Sequence, residues 1–360
     1  MGELGKTTDS CVLYGVPKIF FGLVVDGHMQ LTPFPMCLQA VLNYMGQSTG
    51  YAEIMAASGA AFRQRWNENG WDMAAIDIRN TYHEHLKPFE LAFRAAGRNY
   101  LIIEEPDKSK AKGAYLAHIK SELDCGRPLI ALGVVGPPEA CIVTGYMDDG
   151  ERLLGWSLWQ GGGPFGENLE IDGSGYFIRS NWWENTEAIM SIGEEMGTPA
   201  SVKDILQNAL TLMTEERVET YEGMCGAYYC GQAAYETWAR TVEDDAGYTE
   251  DADMFTALVS HEDQECMLTE GRSVASAYIG SLAEKHPELA SEFFDCARLL
   301  KAASECVVRM QEARGGQGAE STQGKFRERE VRREIAAQIR QAAGHERDAC
   351  ATLKGIVDKL

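Results

Sequence analysis

Pro33-Phe34-Pro35-Met36-Cys37-Leu38-Gln39-Ala40-Val41-Leu42-Asn43-Tyr44-Met45-Gly46 reads as a stiff approach, a cysteine and an amphipathic helix closed by glycine. Two prolines fix the backbone on the way in, and Pro35 suits the last position before a helix or its first. Leu38, Val41, Leu42 and Met45 form one apolar stripe at helical spacing. Cys37 is therefore expected in the first turn, where unpaired N–H groups carry the positive end of the helix dipole. That setting lowers a thiol pKa and favours a nucleophilic thiolate. The position equally suits a small buried apolar side chain, since unpaired cysteine is among the most buried residues.

Upstream, the apolar run Ile19-Phe20-Phe21-Gly22-Leu23-Val24-Val25 is expected as an inner strand or approach loop, and Asp26-Gly27-His28-Met29-Gln30 as a turn. Downstream, residues around Ile54 and Met55 look helical, and Arg63, Trp66, Trp71 and Asp72 fall in a turn-rich region. Aromatic and charged side chains there either line a ligand cleft or cap a core edge. Residues 81–97 predict a helix carrying Leu86, Phe89, Leu91, Phe93 and Ala96, ended by Gly97. Ala114 to Leu123 predicts another.

The period then changes. Leu129 to Val135 and Ala140 to Tyr146 read as buried strands, and Asp148-Asp149-Gly150 is a hairpin signal leading into Arg152-Leu153-Leu154-Gly155-Trp156-Ser157. The glycine-rich stretch 161–166 lacks the lysine and hydroxyl of a phosphate-binding loop and reads as a mobile loop. Gly175 to Arg179 and Ala188 to Gly193 predict closing strands. Helices followed by an antiparallel sheet make this half α+β. Gly197-Thr198-Pro199 marks a boundary, so domains are expected over 1–197 and 198–360. The second is helical, with Ile205, Leu206, Ala209, Leu210 and Met213 in register, as are Phe293, Ala297, Leu300, Ala303, Val307 and Met310. Ala313 to Thr322 reads as a linker, a final helix carries Phe326, Val331, Ile335 and Ile339, and the aromatics from Met224 to Trp238 read as core against the first domain or as a wall of the cleft. His261-Glu262-Asp263-Gln264-Glu265-Cys266 reads as a solvent-facing, acid-rich helix turn, with a ligand contact as the alternative.

Composition narrows the partners. A chain of 360 residues is long enough for two domains, and 45% hydrophobic with 24% charged content is ordinary for a globular protein. A net charge of −21 argues against nucleic acid and anionic membrane; it would steer a cationic ligand favourably and serves equally as a solubility feature. The ten cysteines include no C-x-x-C pair, so a structural metal site is not expected, nor is a cofactor. The start, Met1-Gly2-Glu3-Leu4-Gly5-Lys6, shows no basic region followed by an apolar core. A signal peptide is not expected, and the thiols read as reduced in a cytoplasmic protein.

A thiol at a helix start, followed much later by antiparallel strands joined by tight turns, is the order of a papain-like cysteine-peptidase fold. Residues 33–46 resemble the nucleophile helix of the peptidase C39-like group, and Gly136 to Tyr146 resembles the strand that brings the histidine in that fold. More narrowly, Ser58-Gly59-Ala60-Ala61-Phe62-Arg63 with Trp66, Trp71 and Asp72, then Gly136-Pro137-Pro138-Glu139-Ala140-Cys141-Ile142-Val143-Thr144-Gly145-Tyr146, and Leu153 to Ser157, resemble the family typified by butirosin biosynthesis protein H. The resemblance spans nearly the whole chain. It implies a papain-like N-terminal domain and a helical C-terminal domain. It also implies a role in secondary metabolism, since the namesake is an acyltransferase moving an aminoacyl chain from a carrier-protein thioester to an aminoglycoside amine.

The motif departs at its base. Where the family fold carries a histidine this chain has Glu139, and the orienting Asp or Asn falls near Trp156 and Ser157. A glutamine six residues before the thiol would serve the oxyanion; Gln30 lies seven before Cys37. Peptide hydrolysis is therefore not expected. Two readings stand. In one, Cys37 accepts an acyl group from a thioester and Glu139 takes the proton of an incoming amine. In the other, catalysis is lost and Glu139, Gln30, Arg63, Trp66 and Trp156 contact a small cationic ligand. A small-molecule amine, an acyl carrier protein and a second copy of the chain are the candidate partners.

Overall fold

In a computed structural model, the described residues are 4–25, 27–70, 72, 76–160, 166, 168–196, 198–216, 218–220, 227–316 and 320–360. In chain order they form β1 (Leu4–Lys6), β2 (Cys11–Leu13), β3 (Leu23–Val25), β4 (His28–Gln30), α1 (Pro33–Tyr44), α2 (Tyr51–Ala57), β5 (Arg65–Asn67), α3 (Lys87–Ala95) and β6 (Arg98–Glu104). Next come α4 (Lys108–Asp124), β7 (Leu129–Leu132), β8 (Ala140–Met147), β9 (Arg152–Trp156), β10 (Glu170–Ile171), β11 (Phe177–Ser180) and β12 (Ala188–Glu195). The remainder is α5 (Val202–Thr214), β13 (Val218–Thr220), β14 (Ala227–Cys230), α6 (Gln232–Glu243), α7 (Met254–Lys285), α8 (Ala290–Arg314), α9 (Glu320–Arg327) and α10 (Arg329–Val357). Every strand pairing among them is antiparallel. None of the described helices is long and apolar enough to cross a membrane.

The chain divides into two compact units, one of Met1–Ile54 with Phe89–Ala200, the other of Met55–Pro88 with Ser201–Leu360. This is not the contiguous division expected at 197/198, because residues 55–88 pack with the C-terminal helices. The reason lies in tertiary partners that local composition does not report.

The first unit holds a mixed helix-and-sheet layer. Nine strands of the described residues make one sheet, ordered β10-β11-β9-β8-β7-β12-β6, with β2 also on β8 and β1 on β2. Its centre, β7 and β8, is apolar and almost wholly buried. Against these two strands packs α1. This helix has no charged residue and is buried nearly all round, from Phe34 to Tyr44, so it is a core helix and not the amphipathic one expected. Leu38, Val41 and Leu42 are fully enclosed, each removing side-chain area from water for about 1.5–3 kcal/mol. The run before it is no inner strand. Leu23–Val25 and His28–Gln30 pair as a separate two-stranded hairpin, with Phe20, Phe21, Val24 and Met29 exposed. The expected 26–30 turn thus contains a strand.

The second unit is helical, with a three-stranded sheet β13-β14-β5. Trp66 on β5 stacks on Trp238 of α6 at 5.7 Å, inside a core that includes Tyr235, Leu268, Val307 and Ile339. Helix α7 approaches the 58–65 loop closely at Gly271, where a Cβ would stand 3.0 Å from the Ala61 carbonyl oxygen. Arg272, buried beside it, donates from Nη1 to the carbonyls of Ala61 (2.8 Å) and Arg63 (3.2 Å), and from Nε to Glu346 of α10. Tyr235 donates to the same carboxylate at 2.8 Å.

The 261–266 stretch is not a solvent-facing turn. His261, Gln264 and Glu265 are buried, His261 Nε2 lies 3.0 Å from Glu265, and Arg314 also binds Glu265. Of the expected 313–322 linker, Arg314 ends α8 and Glu320 begins α9, with 317–319 outside the described residues. Trp71, most of the glycine-rich 161–166 stretch and Met224 lie outside them too.

Candidate functional site

Both Pro33 and Pro35 fall within the first turn of α1, where a missing N–H leaves no helical bond unmade, and the helix starts at Pro33. Cys37 is thereby the fifth helical residue. It lies beyond the first turn, where the dipole acts most strongly. Its side chain is 0% exposed. Burial pushes the thiol well above its ordinary pKa, and the nearby Cys141 thiol and Glu139 carboxylate push it the same way. The expected thiolate is replaced by a protonated thiol.

Glu139 is set by its backbone. Its N–H donates to Pro137 O at 2.5 Å, and its carbonyl accepts from Gly133 N at 3.2 Å, closing the turn between β7 and β8. Gly133 has φ +84°, and a Cβ there would stand 2.3 Å from the Asn185 carbonyl oxygen, so the turn requires glycine. Glu139 is half-buried just before β8. Cys141, two residues on, lies within β8, one of the strands against which α1 packs, and its thiol and the Glu139 carboxylate both act electrostatically on the Cys37 thiol. The structure therefore brings Cys37, Glu139 and Cys141 together. Cys141, taken from its apolar strand as core, is the member that sequence reasoning left out.

The other residues go elsewhere. Gln30 is buried and donates from Nε2 to Gln39 Oε1 at 3.1 Å, and Gln39 in turn donates to the Thr49 carbonyl at 3.3 Å. One of the two N–H groups of the Gln30 amide is thereby engaged within the fold. Trp156 ends β9, where it is buried, donates from Nε1 to Val16 O at 2.9 Å and meets Tyr176 edge-on at 4.8 Å. Lys18 Nζ stands 5.5 Å from its ring centroid.

Arg63 and Trp66 belong to the second unit. Trp66 is a core residue whose Nε1 donates to Thr241 Oγ1 at 2.9 Å, so it is no ligand contact. Arg63 is buried, with Nε 3.2 Å from Met267 Sδ. It lines a small polar cavity with Gln64, Arg65, Asp77, Asn80 and Thr81, of about 10 Å³, which has room for about one water. Among the described residues no group of three or more His, Cys, Asp or Glu is placed to hold a metal ion. Comparison of the chain with protein-family models and with curated proteins gives no match.

Proposed function

We propose that the first unit is a papain-like scaffold that binds a small cationic molecule at Glu139, with Cys37 as a packing residue and not a nucleophile. The carrying observation is the enclosed, protonated Cys37 thiol beside a half-buried carboxylate. In thiol enzymes the neighbouring base is an imidazole whose cationic form lowers the thiol pKa. A carboxylate in that place does the reverse, because it repels a thiolate. The same carboxylate suits an ammonium, and a net charge of −21 draws cations towards the protein. A polyamine or an amino sugar is the ligand class of this reading.

Acyl transfer from a carrier-protein thioester to an amine, the activity that the likeness to the butirosin protein H family implies, is the second reading. Its support is that the Glu139 carboxylate acts electrostatically on the Cys37 thiol. One pair of experiments separates the two. Calorimetric titration with spermidine and with 2-deoxystreptamine should show binding of at least one. Glu139→Gln should weaken that binding about tenfold or more, as expected for loss of a charge-assisted contact, and Cys37→Ala should leave it unchanged. Incubation with acyl thioesters followed by intact mass measurement should leave the protein unmodified. An acyl adduct that disappears in Cys37→Ala would overturn the binding reading and establish the transferase.

A further inference from the structure

The large sheet of the first unit ends at β6, whose outer edge meets no other strand among the described residues. The sheet's other terminal strands are blunt, β10 having two residues and β1 three. β6 has seven, Arg98-Asn99-Tyr100-Leu101-Ile102-Ile103-Glu104, and none of them is fully buried. Long exposed edges are normally protected by lysine, proline, an inward charge or a covering loop. β6 contains no Lys, Pro or Gly, and its five central residues are uncharged.

We propose that β6 is a homodimerisation edge, pairing antiparallel with β6 of a second copy about a two-fold axis through Leu101. The occupant follows from the order of charges. Leu101 is the midpoint of the strand, so a dyad there sets Arg98 of each copy opposite Glu104 of the other. It also sets Tyr100 opposite Ile102, an aromatic–β-branched pair of the kind that stabilises antiparallel ladders. Parallel pairing in register would oppose like charges. Arg98 is held at the edge by Gln47, to which its Nε donates at 2.6 Å, and lies 3.6 Å from the exposed Glu195. Leu101, which faces its own copy across the axis, is 48% exposed in the monomer, an apolar side chain that the pairing covers. A two-fold contact of this kind is self-limiting and leaves no further edge at β6.

The dyad supplies a sharp test. Because residue 101 meets itself, Leu101→Lys opposes two ammonium groups and Leu101→Glu two carboxylates, while a mixture of the two variants opposes unlike charges. Sedimentation velocity on the full chain at micromolar concentrations should show a wild-type dimer. Each variant alone should dissociate about tenfold or more readily, and their equimolar mixture should regain the dimer. Regain on mixing could not come from misfolded variants. A wild-type chain that stays monomeric, a dimer indifferent to both substitutions, or a mixture that stays dissociated would each overturn the proposal.

Discussion

Cys37 shows how a few ångströms of placement decide chemistry. A thiol at the start of a helix and a thiol one turn in, pressed onto two apolar strands, carry the same local sequence and have opposite acidities. The consequence is measurable as pH-dependent stability. An unfolded cysteine ionises near pH 9, whereas burial pushes Cys141 to about 12, Cys11 to about 11 and Cys37 well upward. Below pH 9 these thiols are protonated in both states and their stabilising contribution is complete. From pH 9 towards the folded values only the unfolded chain ionises, so each such thiol removes up to about 1.4 kcal/mol per pH unit. Under reducing conditions the urea midpoint should hold from pH 7 to 8 and fall between 9 and 10. Cys37→Ala should make the fall shallower; a wild-type midpoint level to pH 10 would contradict the buried, protonated thiol. Cys37 and Glu139 stand out in the sequence as a thiol at a helix start and an acid just before a buried strand. The depth of the thiol was not legible there, because both prolines are acceptable anywhere in a first turn and local sequence did not choose between them.

At the scale of elements, helical period was legible and partnership was not. The repeats in α5, α8 and α10 are plain in the sequence, yet an acid-rich run such as 261–266 looks solvated until Arg314, some fifty residues on, is known to reach it. β6 is similar. Its residues suggest a strand, but only the sheet order makes it an edge. Arg272 on α7 and Glu346 on α10 form the clearest case, an ion pair at 0% exposure with Tyr235 on the same carboxylate. Removing one partner leaves a buried charge uncompensated, which destabilises by about 3–5 kcal/mol. Arg272→Met should therefore lower the unfolding free energy by that amount, whereas Tyr235→Phe, which removes the hydroxyl's donation to Glu346 and its acceptance from Arg272 Nη2 at 3.4 Å but keeps the pair, should lose about 1–2 kcal/mol. Chemical denaturation followed by far-ultraviolet circular dichroism compares them. Equal losses would mean that the pair is no more than another packing contact.

At the scale of the whole molecule, the boundary near residue 200 was legible from Gly197-Thr198-Pro199, but the contents of the second unit were not. Residues 55–88 supply β5 to its small sheet, register Tyr229↔Trp66 included, the Trp66 indole to the Trp238 stack, and two carbonyls to Arg272. A helical segment that looks self-sufficient by period thus depends on residues more than a hundred positions earlier. Without them Trp238 loses its stacking partner, and Arg272 keeps its charge but loses two acceptors in a setting where unmade bonds are costly. A fragment of residues 201–360 should consequently retain helical circular dichroism while losing a sharp thermal transition and fixed near-ultraviolet signals, the signature of helices without specific packing. Joining residues 55–88 to its N-terminus through a flexible glycine–serine linker should restore cooperative melting. If the 201–360 fragment melts cooperatively without that segment, the discontinuous unit is a feature of contact and not of stability.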